Sequence, residues 1–179
     1  MSAGFPPILG REPRALVLGT LPSRRSLEKQ EYYGHPRNAF WEIMNSLLGA
    51  SGSYAERCRY LEEAGIAVWD VLARSVRPGS MDADIDLATA KSNPLAELVG
   101  ANDSLVLVCF NGRKARQLFD RLVGVDAFSR DIELITLPST SPAYAAMSLD
   151  DKTTRWQDAL SRAVPVRSKA DRVITRGKK

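Results

Sequence analysis

The length, composition and charge of the chain are typical of one globular domain. With 179 residues, of which 44% are hydrophobic and 26% charged, it can bury a core without disulfides or a bound metal. No run approaches the roughly 18 apolar residues of a membrane helix, and the first residues lack the basic-then-apolar pattern of a signal peptide. We therefore expect a cytoplasmic protein that has no membrane partner.

The cysteine and histidine content argues against a metal centre. The chain has two cysteines, Cys58 and Cys109, and one histidine, His35. Structural zinc sites and iron–sulfur clusters usually need four ligands at close spacing. We expect two reduced thiols in the core, no metal and no cofactor.

The positive charge is concentrated at the C-terminal end. The net charge is +4, and residues 165–179 carry six basic side chains against one acidic one. We therefore divide the chain into a domain over 1–164 and a basic tail over 165–179. Two interpretations of the tail remain open, namely sequence-independent binding of nucleic acid phosphates and a solvated end without a ligand.

Strand and helix patterns alternate along the domain. A loop over 20–36 follows the first strand, and a polar irregular segment over 75–90 follows the second. The predicted strands are 14–18, 66–72, 104–110 and 132–137, and the predicted helices are 37–48, 54–64, 92–99, 112–123 and 150–164. Ser53 and Glu56 have capping-box spacing at the start of the second helix.

The alternation predicts an α/β fold, a three-layer α/β/α sandwich with a mostly parallel four-stranded central sheet. Such sheets bind ligands beyond the carboxyl ends of their strands. Loops begin at three of these ends: at 19–36, at 111–112 and at 138–144.

The first of these loops carries aromatic rings beside a side-chain amide. It contains Tyr32, Tyr33, Asn38, Phe40 and Trp41 but neither a phosphate-binding P-loop nor a nucleophile elbow. Aromatic rings stack on flat heteroaromatic ligands, and amides read the edges of such ligands. The alternative is that the aromatic residues belong to the core, which we favour for Phe40 and Trp41, whereas Tyr33 beside a glycine favours stacking on a ligand.

The loop after the fourth strand is rich in hydroxyl groups. It places Ser139, Thr140 and Ser141 between two prolines. Hydroxyls and free backbone N–H groups are good partners for phosphate. A simple capped turn explains the same composition, so both interpretations stay open.

Four motifs together resemble a known family. They are Gly-Thr-Leu-Pro-Ser from Gly19, Tyr-Tyr-Gly-His-Pro-Arg-Asn-x-Phe-Trp from Tyr32, Trp-Asp-Val from Trp69 and Pro-Ser-Thr-Ser-Pro-Ala from Pro138. Their combination and order resemble the hypoxanthine-DNA glycosylase family of the uracil-DNA glycosylase superfamily. The resemblance spans roughly 14–160, and Phe-Asn-Gly-Arg from Phe110 is similar to a motif of the thymine-DNA glycosylases.

The chain departs from the wider superfamily at two positions. The superfamily usually has an Asp or Asn that orients water where this chain has Leu21. It usually has a His or Asn that stabilises the leaving base where this chain has Leu137. In the hypoxanthine family the Asn of the His-Pro-x-Asn string takes the catalytic role, which implies that Asn38 is catalytic here.

The resemblance implies a monofunctional, monomeric enzyme that flips out and hydrolytically excises a deaminated base from DNA. Three groups of site residues follow. Tyr33, Gly19, Thr20 and Asn111 would bind the base, Ser23, Ser139, Thr140 and Ser141 would bind the DNA backbone, and His35 and Asp70 would support the site. For His35 and Asp70 a structural role stays open beside the functional one.

Three alternative functions remain open. The first is excision of uracil or of several deaminated bases, including xanthine. The second is a non-catalytic DNA- or nucleotide-binding module on the same fold, because both usual catalytic positions are leucine. The third is a hydrolase of free nucleosides.

Overall fold

The core of the molecule is a parallel sheet. In the computed structural model, which describes residues 2–79, 81–168 and 170–171, β2 (Ala15–Gly19), β3 (Ile66–Asp70), β6 (Leu107–Asn111) and β7 (Glu133–Leu137) lie in the order β3-β2-β6-β7. All three pairings are parallel. Every residue of β2 and β3 is buried, as expected for strands covered on both faces.

Helices connect and cover these strands. They are α1 (Arg24–Lys29), α2 (Phe40–Leu48), α3 (Tyr54–Ala64), α4 (Leu95–Gly100), α5 (Arg113–Leu122) and α6 (Leu149–Leu160). α3 contacts β3, while α5 and α6 both contact β7. The predicted α/β sandwich with a four-stranded parallel sheet is confirmed, and so is the capping box at Ser53.

A second, smaller sheet was not predicted. β1 (Ser2–Ala3), β4 (Leu72–Ser75) and β5 (Lys91–Ser92) pair antiparallel in the order β1-β4-β5. The predicted strand over 66–72 is confirmed over Ile66–Asp70, but its predicted end was wrong, because the chain leaves β3 at Asp70 and enters the second sheet at Leu72. In the described part of the predicted irregular segment, 75–79 and 81–90, Ser75 ends β4 and Asp82–Asp84 form a 3-10 turn, and the remainder is irregular as predicted.

The long loop predicted over 20–36 contains a short helix. Ser23 caps α1 by accepting a hydrogen bond from the Ser26 N–H at 3.2 Å. α1 has only six residues, too few to show a helical hydrophobic period. Other boundaries differ by a few residues, and α2 begins at Phe40 rather than Arg37. Of the basic tail, only 165–168 and 170–171 are described.

Candidate active site at the carboxyl edge of the sheet

The strand ends meet at one edge of the sheet and form a cavity of about 310 Å³. Gly19 at the end of β2 is the register partner of Asp70 at the end of β3, and Asn111 at the end of β6 pairs with Leu137. Ten of the predicted site residues line this cavity: Gly19, Thr20, Ser23, Tyr33, Asn38, Asp70, Asn111, Ser139, Thr140 and Ser141. The structure thus brings together in space what the sequence separates by more than 100 residues.

Gly19 allows Tyr33 and Asp70 to approach the strand end closely. A Cβ atom at Gly19 would lie 2.5 Å from Asp70 Oδ1 and 3.3 Å from the Tyr33 hydroxyl oxygen. The first distance is well inside van der Waals contact. Any side chain at this position would displace the two polar groups, so glycine is required by the local packing.

Asp70 is a buried carboxyl group in the cavity wall. It is 4% exposed, and its Oδ2 atom has no hydrogen-bond partner among the described residues. Burial raises the pKa of Asp70 most, the neighbouring Asp82 carboxylate also raises it, and the Arg77 guanidinium opposes both effects; together they bring the pKa to about 8. Asp70 is thus largely protonated at neutral pH.

Tyr33 adopts a left-handed backbone conformation, with φ of +55°. Its ring stacks on Phe40 with centroids 4.1 Å apart and an interplanar angle of 27°. Only the other face of the Tyr33 ring is therefore available to a ligand. No contact of its buried hydroxyl has hydrogen-bond geometry in the described part of the chain. Burial and the Asp70 carboxyl raise the pKa of this phenol, and the nearby Asn111 side chain opposes them.

The aromatic residues beside Tyr33 belong to the core. Phe40 is fully buried and Trp41 is 9% exposed. The Trp41 Nε1–H donates to the Tyr32 carbonyl oxygen at 2.8 Å. These contacts confirm the core interpretation for Phe40 and Trp41 and fix the segment that carries Asn38.

Asn38 lies just before α2 and is held in one orientation. Its Oδ1 atom accepts a hydrogen bond from the Phe40 N–H at 3.0 Å, and its own N–H donates to the His35 carbonyl at 2.9 Å. The next N–H, of Ala39, donates to the Thr140 carbonyl at 3.0 Å. The Asn38 amide is therefore positioned without rotation of its side chain, as a group that binds a water or a substrate requires.

Asn111 anchors the loop after β7. Its Nδ2–H donates to the Thr140 hydroxyl at 2.8 Å, and its Oδ1 accepts from the Thr140 N–H at 2.9 Å. Thr140 is only 1% exposed. The Asn111 side chain also interacts with the Tyr33 phenol, whose pKa it lowers, whereas Thr140 acts as a fixed point of the loop.

The structure adds two site residues that the sequence did not indicate. Asp82, from the irregular segment, accepts a hydrogen bond from the Thr20 hydroxyl at 2.6 Å and lies 3.9 Å from Arg77 Nη1. The buried Arg77 side chain also donates to the Leu21 and Pro22 carbonyls. This network ties the irregular segment to the loop after β2, and only the polar composition of 75–90 hinted at it.

His35 does not line the cavity. Its Nδ1 atom accepts a hydrogen bond from the Arg37 N–H at 3.1 Å, which stabilises the turn before Asn38. Ser23 lines the cavity, but its hydroxyl is engaged with Ser26 at the start of α1. The local contacts of His35 and Ser23 are therefore structural.

A second, wider groove of about 730 Å³ adjoins the cavity. The two share Ser139 and Tyr144 as lining residues. The groove is also lined by Arg113, at the start of α5, and by Arg155 on α6, both exposed. Arg162, which pairs with Glu133, and Asp158 line the groove as well. Three arginines against one aspartate on an open groove suit a negatively charged chain.

The described residues contain neither a metal-binding cluster nor a membrane-spanning helix. Within 2–79, 81–168 and 170–171, no group of three or more His, Cys, Asp or Glu side chains is arranged to hold a metal ion. No helix in the same ranges has the length and apolar character needed to span a membrane.

Comparisons with known proteins identify the family. The model of the uracil DNA glycosylase superfamily matches residues 6–161. A hypoxanthine DNA glycosylase from Methanosarcina acetivorans is 34% identical over 86% of this chain and 94% of its own length. One from Methanosarcina barkeri is 31% identical over 89% of this chain and 98% of its own.

A solved structure agrees with these relatives. The solution NMR structure of a Methanosarcina acetivorans protein described as a candidate uracil DNA glycosylase has a TM-score of 0.74 and 32% identity, covering 90% of this chain and 97% of that one. The family resemblance seen in the sequence motifs is confirmed, and the chain belongs to the uracil DNA glycosylase superfamily.

Proposed function

We propose that this protein is a monofunctional DNA glycosylase that removes hypoxanthine from DNA by hydrolysis. The observation that carries the proposal is the match, over nearly the full length of both chains, to two relatives named hypoxanthine DNA glycosylase. The cavity supports it, because the position that usually holds an Asp or Asn is the apolar Leu21, while Asn38 lines the same space.

The cavity has the size and chemistry for one extruded base. Its volume of about 310 Å³ lies at the lower end of the range for small-molecule pockets. Extrusion of a base costs a few kcal/mol, and least at a mispaired base. In this proposal the free face of Tyr33 stacks on the base, while Asn111 and the backbone at Gly19 and Thr20 bind its edge.

Asn38 orients the attacking water in this proposal. An amide cannot take up a proton at neutral pH, so its contribution is positioning by hydrogen bonds. Each ~1.4 kcal/mol of activation free energy is worth a factor of ten in rate. Loss of a positioning group that lowers the barrier by several kcal/mol therefore lowers the rate by several powers of ten. The cavity lining in the described part of the chain contains no lysine, in keeping with hydrolysis rather than a Schiff-base lyase step.

The hydroxyl loop and the neighbouring groove contact the DNA backbone in this proposal. Ser139 and Ser141 lie on the loop that Asn111 and Thr140 anchor. Arg113 and Arg155 line the adjoining groove and would neutralise phosphates beside the extruded nucleotide. We further propose a cytoplasmic monomer that needs no metal or cofactor. Gel filtration tests whether the protein is a monomer, and activity in the presence of a chelator tests whether it needs a metal.

A panel of duplex oligonucleotides, each with one hypoxanthine, uracil or xanthine, tests the function. We expect release of free hypoxanthine by the wild type and a loss of 100-fold or more in Asn38→Ala, with DNA binding retained. Asn45→Ala is the matched control, because Asn45 is exposed on α2 and its loss should leave the rate unchanged.

The other outcomes of the panel identify the alternative functions. Faster release of uracil or xanthine assigns a different or broader substrate range. Tight lesion binding without release of any base assigns a binding module. Release of hypoxanthine from free deoxyinosine, with no salt-sensitive binding to DNA, assigns a nucleoside hydrolase.

A further inference from the structure

Among the described residues, three buried polar atoms of side chains that line the cavity have no hydrogen-bond partner: Asp70 Oδ2, the Tyr33 hydroxyl oxygen and Arg77 Nε. Asp70 and Tyr33 share one place in the cavity wall. Both side chains approach the same point at Gly19, with Asp70 Oδ1 and the Tyr33 hydroxyl oxygen 2.5 Å and 3.3 Å from the position of a Cβ there. Buried polar atoms are almost always hydrogen-bonded, so two orphans at this one place indicate a polar ligand that completes them.

We propose that Asp70 is a second catalytic residue, whose carboxyl O–H donates a hydrogen bond to an acceptor atom of the extruded base as the glycosidic bond breaks. In hypoxanthine the ring acceptors are N3 and N7. The inference deepens the proposed function and depends on it, because it assigns the residue that stabilises the leaving base.

The charges around Asp70 keep its carboxyl group neutral. Burial and the Asp82 carboxylate raise the pKa of Asp70, and the Arg77 guanidinium lowers it less. The phenols of Tyr33 and Tyr32 complete the titratable groups that interact with it in the described structure. Asp82 already accepts the Thr20 hydroxyl hydrogen and faces Arg77, so Asp70 rather than Asp82 is the carboxyl with a proton to donate.

Asp70 can take the role of the side chain that usually stabilises the leaving base and that this chain lacks. The residue at the end of β7, where the superfamily usually stabilises the leaving base, is Leu137, which is 5% exposed and does not line the cavity. Asp70 ends a different strand of the same sheet, and its backbone is held by the Asn93 Nδ2–H, which donates to the Asp70 carbonyl at 2.8 Å. A purine leaves more easily when its ring nitrogens are hydrogen-bonded, so one donor can replace another.

Water is the co-reactant of the step. The bond between C1′ of the sugar and the base nitrogen breaks, and its electron pair stays on the base, which leaves as the hypoxanthine anion while the Asp70 O–H donates a hydrogen bond to it. The water oxygen bonds to C1′, and the proton that the water loses passes through solvent to the base, which ends as neutral hypoxanthine.

The test is the single-turnover rate of hypoxanthine release from about pH 5.5 to 9.5 for wild type, Asp70→Asn and Asp70→Ala. The asparagine retains a donor but cannot titrate. We expect Asp70→Ala to lose 100-fold or more and Asp70→Asn to keep at least a tenth of the rate. The ratio of the wild-type rate to the Asp70→Asn rate should fall as pH rises, with a midpoint near the Asp70 pKa of about 8. Ionisation of hypoxanthine itself affects both rates equally and therefore cancels in this ratio.

Two controls separate chemistry from folding. Asp103→Asn, at a side chain that is 99% exposed, should follow the wild-type profile. Binding to DNA with a 2′-fluoro deoxyinosine, which resists cleavage, should persist in both Asp70 variants and show that they are folded.

The inference is overturned if the ratio rises through pH 8, which assigns Asp70 as a carboxylate base, or if Asp70→Ala is as active as wild type. A wild type that releases no hypoxanthine at any pH contradicts instead the proposed function.

Discussion

Substitution of Asp70 by asparagine should change how stability depends on pH. The folded pKa of about 8 lies above the ordinary value of 3.8, so between these values the folded state holds a proton that the unfolded state has lost. Stability therefore falls as pH rises through this window, by up to ~1.4 kcal/mol per pH unit, and is level above it. Asp70→Asn removes the titration, so its stability relative to wild type should grow with pH.

The magnitude follows from the width of the window. Between pH 5 and 7.5, the free energy of unfolding of Asp70→Asn should rise relative to that of wild type by about 3 kcal/mol. For a chain of this size that corresponds to a relative rise in Tm on the order of 6–12 °C. Thermal unfolding followed by circular dichroism at both pH values measures it, with Asp103→Asn as the exposed control.

A Tm difference between Asp70→Asn and wild type that stays constant from pH 5 to 7.5 would refute the reasoning. It would mean that the carboxyl group of Asp70 ionises at its ordinary pKa, in spite of its burial. A pH-dependent difference of the same size in Asp103→Asn would assign the effect to the surface charge instead.

Three further variants, one of them a double substitution, test other parts of the site. Gly19→Ala should lower hypoxanthine release at least 10-fold while the protein stays folded, because its Cβ would meet the Asp70 carboxyl group at 2.5 Å; a crystal structure with both groups unmoved would contradict this. Arg77→Met should destabilise the fold by roughly 1.5–3 kcal/mol, since two loop carbonyls lose a charged donor, and urea unfolding measures the change. The double substitution Arg113→Ala and Arg155→Ala should weaken binding equally for damaged and undamaged duplex DNA. It should also make the plot of log binding constant against log salt concentration less steep by about 1.8. An unchanged slope would mean that the DNA does not contact these arginines.

Much of the site could be predicted from the sequence because its residues stand at strand ends. The apolar runs before Gly19, Asp70 and Asn111 mark buried strands, and parallel strands bring their carboxyl ends to one edge. The predicted topology therefore places these three residues close to one another. Asn38 was found differently, through its place in a family motif.

The rest of the site depends on tertiary contacts that no local pattern encodes. Arg77 and Asp82 come from an irregular segment without hydrophobic periodicity, and their pairing with the loop after β2 exists only in the fold. The short helix α1 escaped prediction because six residues are too few for a period. The orphaned state of Asp70 and Tyr33 is likewise a property of packing.

The most direct test of the account is the release of free base from duplex DNA that contains a single hypoxanthine. We expect the wild type to release hypoxanthine and leave an abasic site, and Asn38→Ala to bind the same duplex while losing 100-fold or more of the rate. Binding without release by the wild type, for hypoxanthine and for every other deaminated base, would contradict the central claim.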